Sequence, residues 1–293
     1  GPAVESYLNI PRIIAAGEIT NADAIHPGYG FLAENAKFSK ICKENGFTFI
    51  GPDAEIIDLM GDKVNARNAA KDAGVPIIPG SNTLSSVEEF LEIAEQIGYP
   101  VMLKAVAGGG GKGMRVIKNA NEAEKGFNII QNEAGMAFNN SEIYVEKFVE
   151  NGRHIEVQIL SDKFGNHLHL GERECSIQRS NQKLIEESPS LFVDHNLRDE
   201  LTSKSLQHAE KVNYVGAGTI EYLVDDDKNF YFLEMNTRIQ VEHTVTEMVC
   251  MIDLVKEQIR TYAGIELSMK QEDITMSGHA IECRINAEDP FND

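Results

Sequence analysis

The sequence predicts an α/β and α+β chain. Three observations carry that prediction. Short apolar runs punctuated by Gly and Pro separate helical patterns in residues 1 to about 60, helices and strands surround a run of glycines at 108–111, and a strand-rich pattern follows Asn151.

In the first part, Ala24-Ile25 runs into His26-Pro27-Gly28 and Phe47-Thr48-Phe49-Ile50 into Gly51-Pro52, which reads as strands of an α/β unit. The pattern over 56–73 predicts one helix, with Lys63 and Arg67 on a common face and Gly74-Val75-Pro76 ending it. Pro79-Gly80 marks a boundary. Beyond it the patterns predict a helix over 86–97, a strand over 101–105, the glycine loop, a strand over 114–117, a helix over 122–134 and a strand over 142–148. In the last part Ile155, Val157 and Ile159 alternate with Glu156, Gln158 and Leu160, a helix covers 197–211, and a hairpin follows.

The chain holds 46 acidic and 27 basic residues, a formal net charge of -19. Such a balance repels phosphate backbones and anionic headgroups, which argues against a nucleic-acid or membrane-surface partner. No apolar run approaches the roughly 18 residues a spanning helix needs, so a cytoplasmic protein is expected. Cys42, Cys175, Cys250 and Cys283 stand far apart without a CxxC pair, which predicts reduced thiols and no zinc cluster. An opening Gly1-Pro2 without Met and a turn-like end at Asn292-Asp293 suggest a chain cut at both ends.

The loop holding Gly108, Gly109, Gly110 and Gly111 precedes a strand, not a helix, and no Ser or Thr follows Lys112. It therefore reads as a flap whose backbone N–H groups close over nucleotide phosphates, with a flexible hairpin as the plainer alternative. Segments 218–224 and 230–236 read as a hairpin whose turn, if symmetric about Asp227 and Lys228, sets Glu221 opposite Glu234. Facing like charges destabilise a strand pair, so a divalent cation between them makes sense of the pattern. A chain extended past Glu234 would keep Asn236, Arg238, Gln240 and Glu242 on that same face, with Glu242 near Arg238. The polar stretch from Glu172 to Lys183 could hold a small anion or be a solvated loop. Lys104 inside an apolar strand calls for an anionic partner. His154 is open between a structural imidazole and a ligand contact.

Several segments resemble the biotin carboxylase family: His26-Pro27-Gly28-Tyr29-Gly30-Phe31, Met60-Gly61-Asp62-Lys63, the glycine flap, Arg153-His154-Ile155-Glu156, Gln178 to Lys183, Glu234-Met235-Asn236-Thr237-Arg238-Ile239-Gln240-Val241-Glu242-His243, and Glu282-Cys283-Arg284-Ile285-Asn286-Ala287-Glu288. The resemblance implies an ATP-grasp fold with a partial N-terminal α/β domain, a glycine-flap lid domain and a strand-rich C-terminal catalytic region. Its boundaries would be 1–62 for the partial N-terminal domain, 63–263 for the ATP-grasp domain with a mobile lid at 77–148, and 264–293 for the start of an incomplete C-terminal domain.

The resemblance further implies ATP-dependent carboxylation of biotin by bicarbonate, through carboxyphosphate, with a biotin carboxyl carrier protein and a carboxyltransferase component as partners. It allows a homodimer of the full-length protein. Lys63, Lys104, Glu146, Lys147, Val149, His154, Gln178 and Asn181 would hold ATP under the flap. Glu221, Glu234 and Asn236 would bind Mg2+ or Mn2+. Lys183, Arg238, Gln240 and Val241 would hold bicarbonate, Glu242 would take its proton, and Arg284 would steady bicarbonate and the charge on biotin. Asn181 stands where many members have His, and Thr244 where they have Pro. Alternatives are a nucleotide-binding but catalytically incomplete fragment, or another ATP-grasp ligase resembling carbamoyl-phosphate synthetase.

Overall fold

The computed structural model describes residues 1–107 and 113–289. Two compact units emerge, one of residues 1–77, 153–177 and 183–293, the other of 78–152 and 178–182. Among the described residues no helix is long and apolar enough to cross a membrane.

The first unit opens with helix α1 (Ile10–Thr20), strand β1 (Ala24–Ile25), helix α2 (Ala36–Glu44) and strand β2 (Thr48–Phe49). Asn9 and Asn35 cap the two helices by accepting from Arg12 and Phe38 backbone N–H groups. β1 and β2 pair in parallel, as a β-α-β crossover requires. The expected single helix over 56–73 is two: α3 (Ala54–Gly61) and α4 (Lys63–Asp72). The break has a local cause. Asp62 leaves the helical conformation and its carboxylate accepts from the N–H groups of Val64 and Asn65, starting a new helix with Lys63 at its first position.

The second unit holds helix α5 (Val87–Ile97), strands β3 (Val101–Ala105) and β4 (Met114–Ile117), helix α6 (Ala123–Phe138) and strand β5 (Ile143–Lys147). Its sheet runs β4-β3-β5, antiparallel at both pairings. α5 and α6 close an apolar core around Phe90, Leu103, Phe127, Ile130 and Val145. The glycines expected to form a flap, Gly108, Gly109, Gly110 and Gly111, lie outside the described residues.

Back in the first unit come β6 (Arg153–Ser161), β7 (His167–Arg179), β8 (Gln182–Ser188), helix α7 (His195–Lys211), β9 (Gly216–Val224), β10 (Phe230–Asn236), helices α8 (His243–Cys250) and α9 (Leu254–Tyr262), and β11 (Ala280–Cys283). Six strands form one sheet in the order β10-β9-β6-β7-β8-β11. The polar stretch from Glu172 to Lys183 is not a solvated loop but parts of two strands joined by Ser180 and Asn181. Both residues have positive φ, 51° and 66°, the backbone of a tight hairpin turn, which Asn tolerates.

Period-2 side-chain direction makes the sheet two-faced. Ile155, Val157, Ile159, Ile220, Tyr222 and Met235 join an apolar core that also includes Ala66 and Ala70 of α4 and Leu197 and Leu201 of α7. The opposite face carries the polar residues considered next.

Candidate active site

Two cross-strand rows build the polar face. Glu234, Glu221, Glu156 and Arg173 stand in register across β10, β9, β6 and β7. Beside them, Asn236, Thr219 and Gln158 stand in register across β10, β9 and β6. The register near the turn differs from the expected one. Phe230 pairs with Val224 and Phe232 with Tyr222, which centres the turn on Asp227 alone. Leu233 then inserts one extra residue into β10, a β-bulge, and Glu234 comes to face Glu221.

Lys183, near the start of β8, reaches into this face. Its Nζ donates to Glu156 Oε2 at 2.5 Å, Glu242 Oε1 at 2.7 Å and Glu221 Oε1 at 2.9 Å. Burial alone would lower its pKa, but the three carboxylates outweigh it and hold the ammonium charged well above its ordinary range. The same contacts favour the ionised forms of Glu221 and Glu242. Burial favours a neutral Glu221, yet its hydrogen bonds from His154 Nε2 at 2.8 Å and from Lys183 hold it well below the usual carboxylate range. Glu242 is likewise 2% exposed, and Lys183 and Arg173 reverse the effect of its burial.

Beyond Asn236 the chain leaves the strand, so alternation does not carry residues 238 to 242 onto the face as expected. A loop and the start of α8 bring most of them there instead. Gln240 Nε2 and Asn236 Nδ2 each donate to Glu221 Oε1 at 2.9 Å. Glu242, at the N-cap of α8, presents its second oxygen to Arg284 Nη2 at 2.9 Å, and Arg284 Nε sits 2.6 Å from Glu186. Arg238 is not the cation beside Glu242. It donates to Glu34 Oε2 and Asn236 Oδ1, both at 2.8 Å. Val241 is half-buried after Gln240. Thr244, the second residue of α8, donates to Glu282 Oε2 at 2.5 Å.

Lys63 lines a pocket of about 190 Å³ with Glu34, Glu234 and Asn236. Among the described residues no hydrogen bond or ion pair reaches the Glu234 carboxylate. Desolvation, then the charges of Glu221 and Glu34, raise its pKa even though the residue stands open at the rim. An acid crowded by acids, with an amide oxygen two residues on, fits a hard divalent cation. Among the described residues, two groupings of His, Cys and acidic side chains have donor atoms within 4.8 Å of one another: His154, Glu156 and Glu221, and Glu156, Cys175 and Glu242; the first shares Glu221 with the expected metal set and neither includes Glu234.

The second unit carries its own residues from the expected set. Lys104 Nζ lies 2.5 Å from Glu146 Oε2, the anionic partner its buried strand called for. Lys147 Nζ donates to the Gly98 and Tyr99 carbonyls at 2.9 and 3.3 Å, and Val149 follows β5 half-buried. Gln178 is half-buried and Asn181 exposed.

Sequence reading assigns Arg173, Glu156 and Glu34 no individual role, although Arg173 and Glu156 lie in segments it singles out. The alternation of Glu172-Arg173-Glu174 marks Arg173 as facing opposite to its neighbours, but nothing local reveals what it faces. Glu34 reaches Arg238 across 204 positions without any local pattern.

Residues 1–57 match the family described as biotin carboxylase, N-terminal domain, and residues 62–270 match the carbamoyl-phosphate synthase L chain, ATP binding domain. A biotin carboxylase of Nostoc sp. is 57% identical over 292 residues, covering 99% of this chain and 65% of its own length. The chain belongs to the biotin carboxylase family. A solved Campylobacter jejuni biotin carboxylase, in a complex named for β-γ-ATP, matches with 52% identity and a TM-score of 0.89 over 98% of this chain and 65% of that one. The biotin carboxylase domain of Hydrogenobacter thermophilus 2-oxoglutarate carboxylase, solved with MgADP, ADP and bicarbonate, matches with 52% identity and a TM-score of 0.87 over 97% and 63% of the two chains. These structures share the ATP-grasp fold of the family. This chain spans a little under two thirds of each relative's length.

Proposed function

We propose that this chain is the nucleotide- and bicarbonate-binding part of an ATP-dependent ligase that carboxylates biotin on a carrier protein and passes the carboxyl group to a carboxyltransferase component. The observation that carries the reading is Glu242, buried with one oxygen on Lys183 and the other close to Arg284. A general base for bicarbonate must stay ionised beside an anion, and two flanking cations meet both demands.

In this reading bicarbonate sits among Lys183, Arg238, Gln240, Val241 and Arg284, and Glu242 removes its proton. The freed oxygen attacks the γ-phosphorus of ATP, giving carboxyphosphate and ADP. Lys63, Lys104, Glu146, Lys147, Val149, His154, Gln178 and Asn181 contact ATP. Glu221, Glu234 and Asn236 would hold Mg2+, which offsets charge on phosphoryl oxygens when bound. The cations of the site oppose a chain of net charge -19, so they define where an anion is welcome. The similarity to a domain solved with MgADP and bicarbonate supports this assignment.

The test is ATP cleavage by the full-length protein and by this chain, with bicarbonate and free biotin supplied separately. Cleavage that needs bicarbonate and is stimulated by biotin is expected of the full-length protein. Cleavage that needs ammonia and ignores biotin would overturn the reading.

A further inference from the structure

Arg173 is 0% exposed, and its guanidinium carries five N–H donors, all engaged. Nε donates to Glu156 Oε1 at 2.6 Å. Nη1 donates to Gln158 Oε1 at 2.7 Å and Thr246 Oγ1 at 3.0 Å. Nη2 donates to Gln240 Oε1 at 2.9 Å and Thr219 Oγ1 at 3.2 Å. We infer that Arg173 is a positioning residue that turns the Gln240 amide NH2 toward the substrate anion and, through the Glu156 carboxylate, fixes the Lys183 ammonium. This rests on the reading of the site as a bicarbonate site.

The logic follows from donor and acceptor chemistry. A guanidinium only donates, so the side of Gln240 that meets Arg173 must be its oxygen. The NH2 group is then forced to the other side, where one N–H goes to Glu221 and the second is available to a bound anion. Reversed, the amide would turn its oxygen to that anion and repel it. Glu156 is treated alike. Arg173 holds one oxygen, which leaves the other to Lys183 at 2.5 Å and so fixes the ammonium that faces Glu242. Arg173 touches no expected substrate atom, and its effect passes through Gln240 and Lys183. Lysine cannot replace it, since three donors on a point charge cannot span five acceptors held on β6, β9, the loop after β10 and α8.

The experiment uses the full-length enzyme and measures bicarbonate-dependent ATP cleavage against both substrates. Arg173→Lys should lower kcat/KM for bicarbonate by about 10- to 100-fold while KM for ATP stays within about 2-fold. Thr246→Val removes a bond of Arg173 that does not lead to Gln240, and should leave the bicarbonate dependence unchanged. If Arg173→Lys fails to fold, the double variant Arg173→Met with Glu156→Gln removes both buried charges, and its bicarbonate kinetics are compared with Glu156→Gln alone. The further loss in the double variant should again fall on bicarbonate. A folded variant with wild-type kcat/KM for bicarbonate, or with equal losses for ATP and bicarbonate, would overturn the inference. A wild-type enzyme without bicarbonate-dependent cleavage would overturn the underlying reading and this inference with it.

Discussion

Glu221 of β9 stands directly opposite Glu234 of β10, although the turn joining the two strands is one residue out of step with that pairing. Leu233 supplies the missing residue as a bulge. Two carboxylates that repel each other are thus held face to face by a local irregularity, and bulges commonly re-aim a side chain beside a functional site.

Glu234→Gln removes one charge from this pair. Without metal, the variant should be as stable as the parent or more stable, by at most about 1 kcal/mol, because facing like charges cost a few tenths to one kcal/mol. Added Mg2+ should raise the melting temperature of the parent and leave that of the variant in place. Equal stabilisation of both by Mg2+ would show that the cation binds elsewhere.

Lys183→Met would leave Glu156, Glu221 and Glu242 facing one another without their common cation. At pH 8 the loss should be about 3–5 kcal/mol, the cost of breaking a buried ion pair from one side. The carboxylates can then relieve the strain only by taking up protons, so the loss should shrink toward pH 5. Urea denaturation at the two pH values measures it, and an equal loss at both would contradict the assignment.

His208 is 0% exposed beside Phe232, with no partner for either ring nitrogen among the described residues. Burial pushes its pKa from 6.5 down to about 4. Above pH 6.5 the ring is neutral in both states and native stability is intact. Between pH 6.5 and 4 the unfolded chain gains a proton that the native state refuses, and about 3 kcal/mol is lost. His208→Phe should therefore flatten stability against pH in this window, and an unchanged slope would assign the acid sensitivity to other groups.

Glu242→Gln in the full-length protein should abolish bicarbonate-dependent carboxylation of biotin while ATP binds with near-normal affinity, since Glu242 contacts Lys183 and Arg284. Isothermal titration with ATP alongside the carboxylation assay separates the two effects. Wild-type turnover would leave Glu242 as a structural partner of those two cations.

The alternation of Ile155, Val157 and Ile159 with Glu156 and Gln158, and of Ile220 and Tyr222 with Thr219 and Glu221, was readable from sequence because the direction of a strand side chain depends on the backbone alone. The need of Lys104 for an anion was readable for a similar reason: a charge within an apolar strand has few other ways to be buried. Alternation lost its force at Asn236, where the chain leaves the strand, and there Arg238 turned out to meet Glu34 instead of Glu242. The break at Asp62 and the bulge at Leu233 were hidden because each depends on one residue choosing a local alternative to the regular element. Above all, only the tertiary structure decided which strands are neighbours. The order β10-β9-β6-β7-β8-β11 puts Glu234, Glu221, Glu156 and Arg173 in one row and brings Lys183 among three carboxylates. A local pattern encodes the face a residue takes, but its neighbour on that face is set by how the whole core packs.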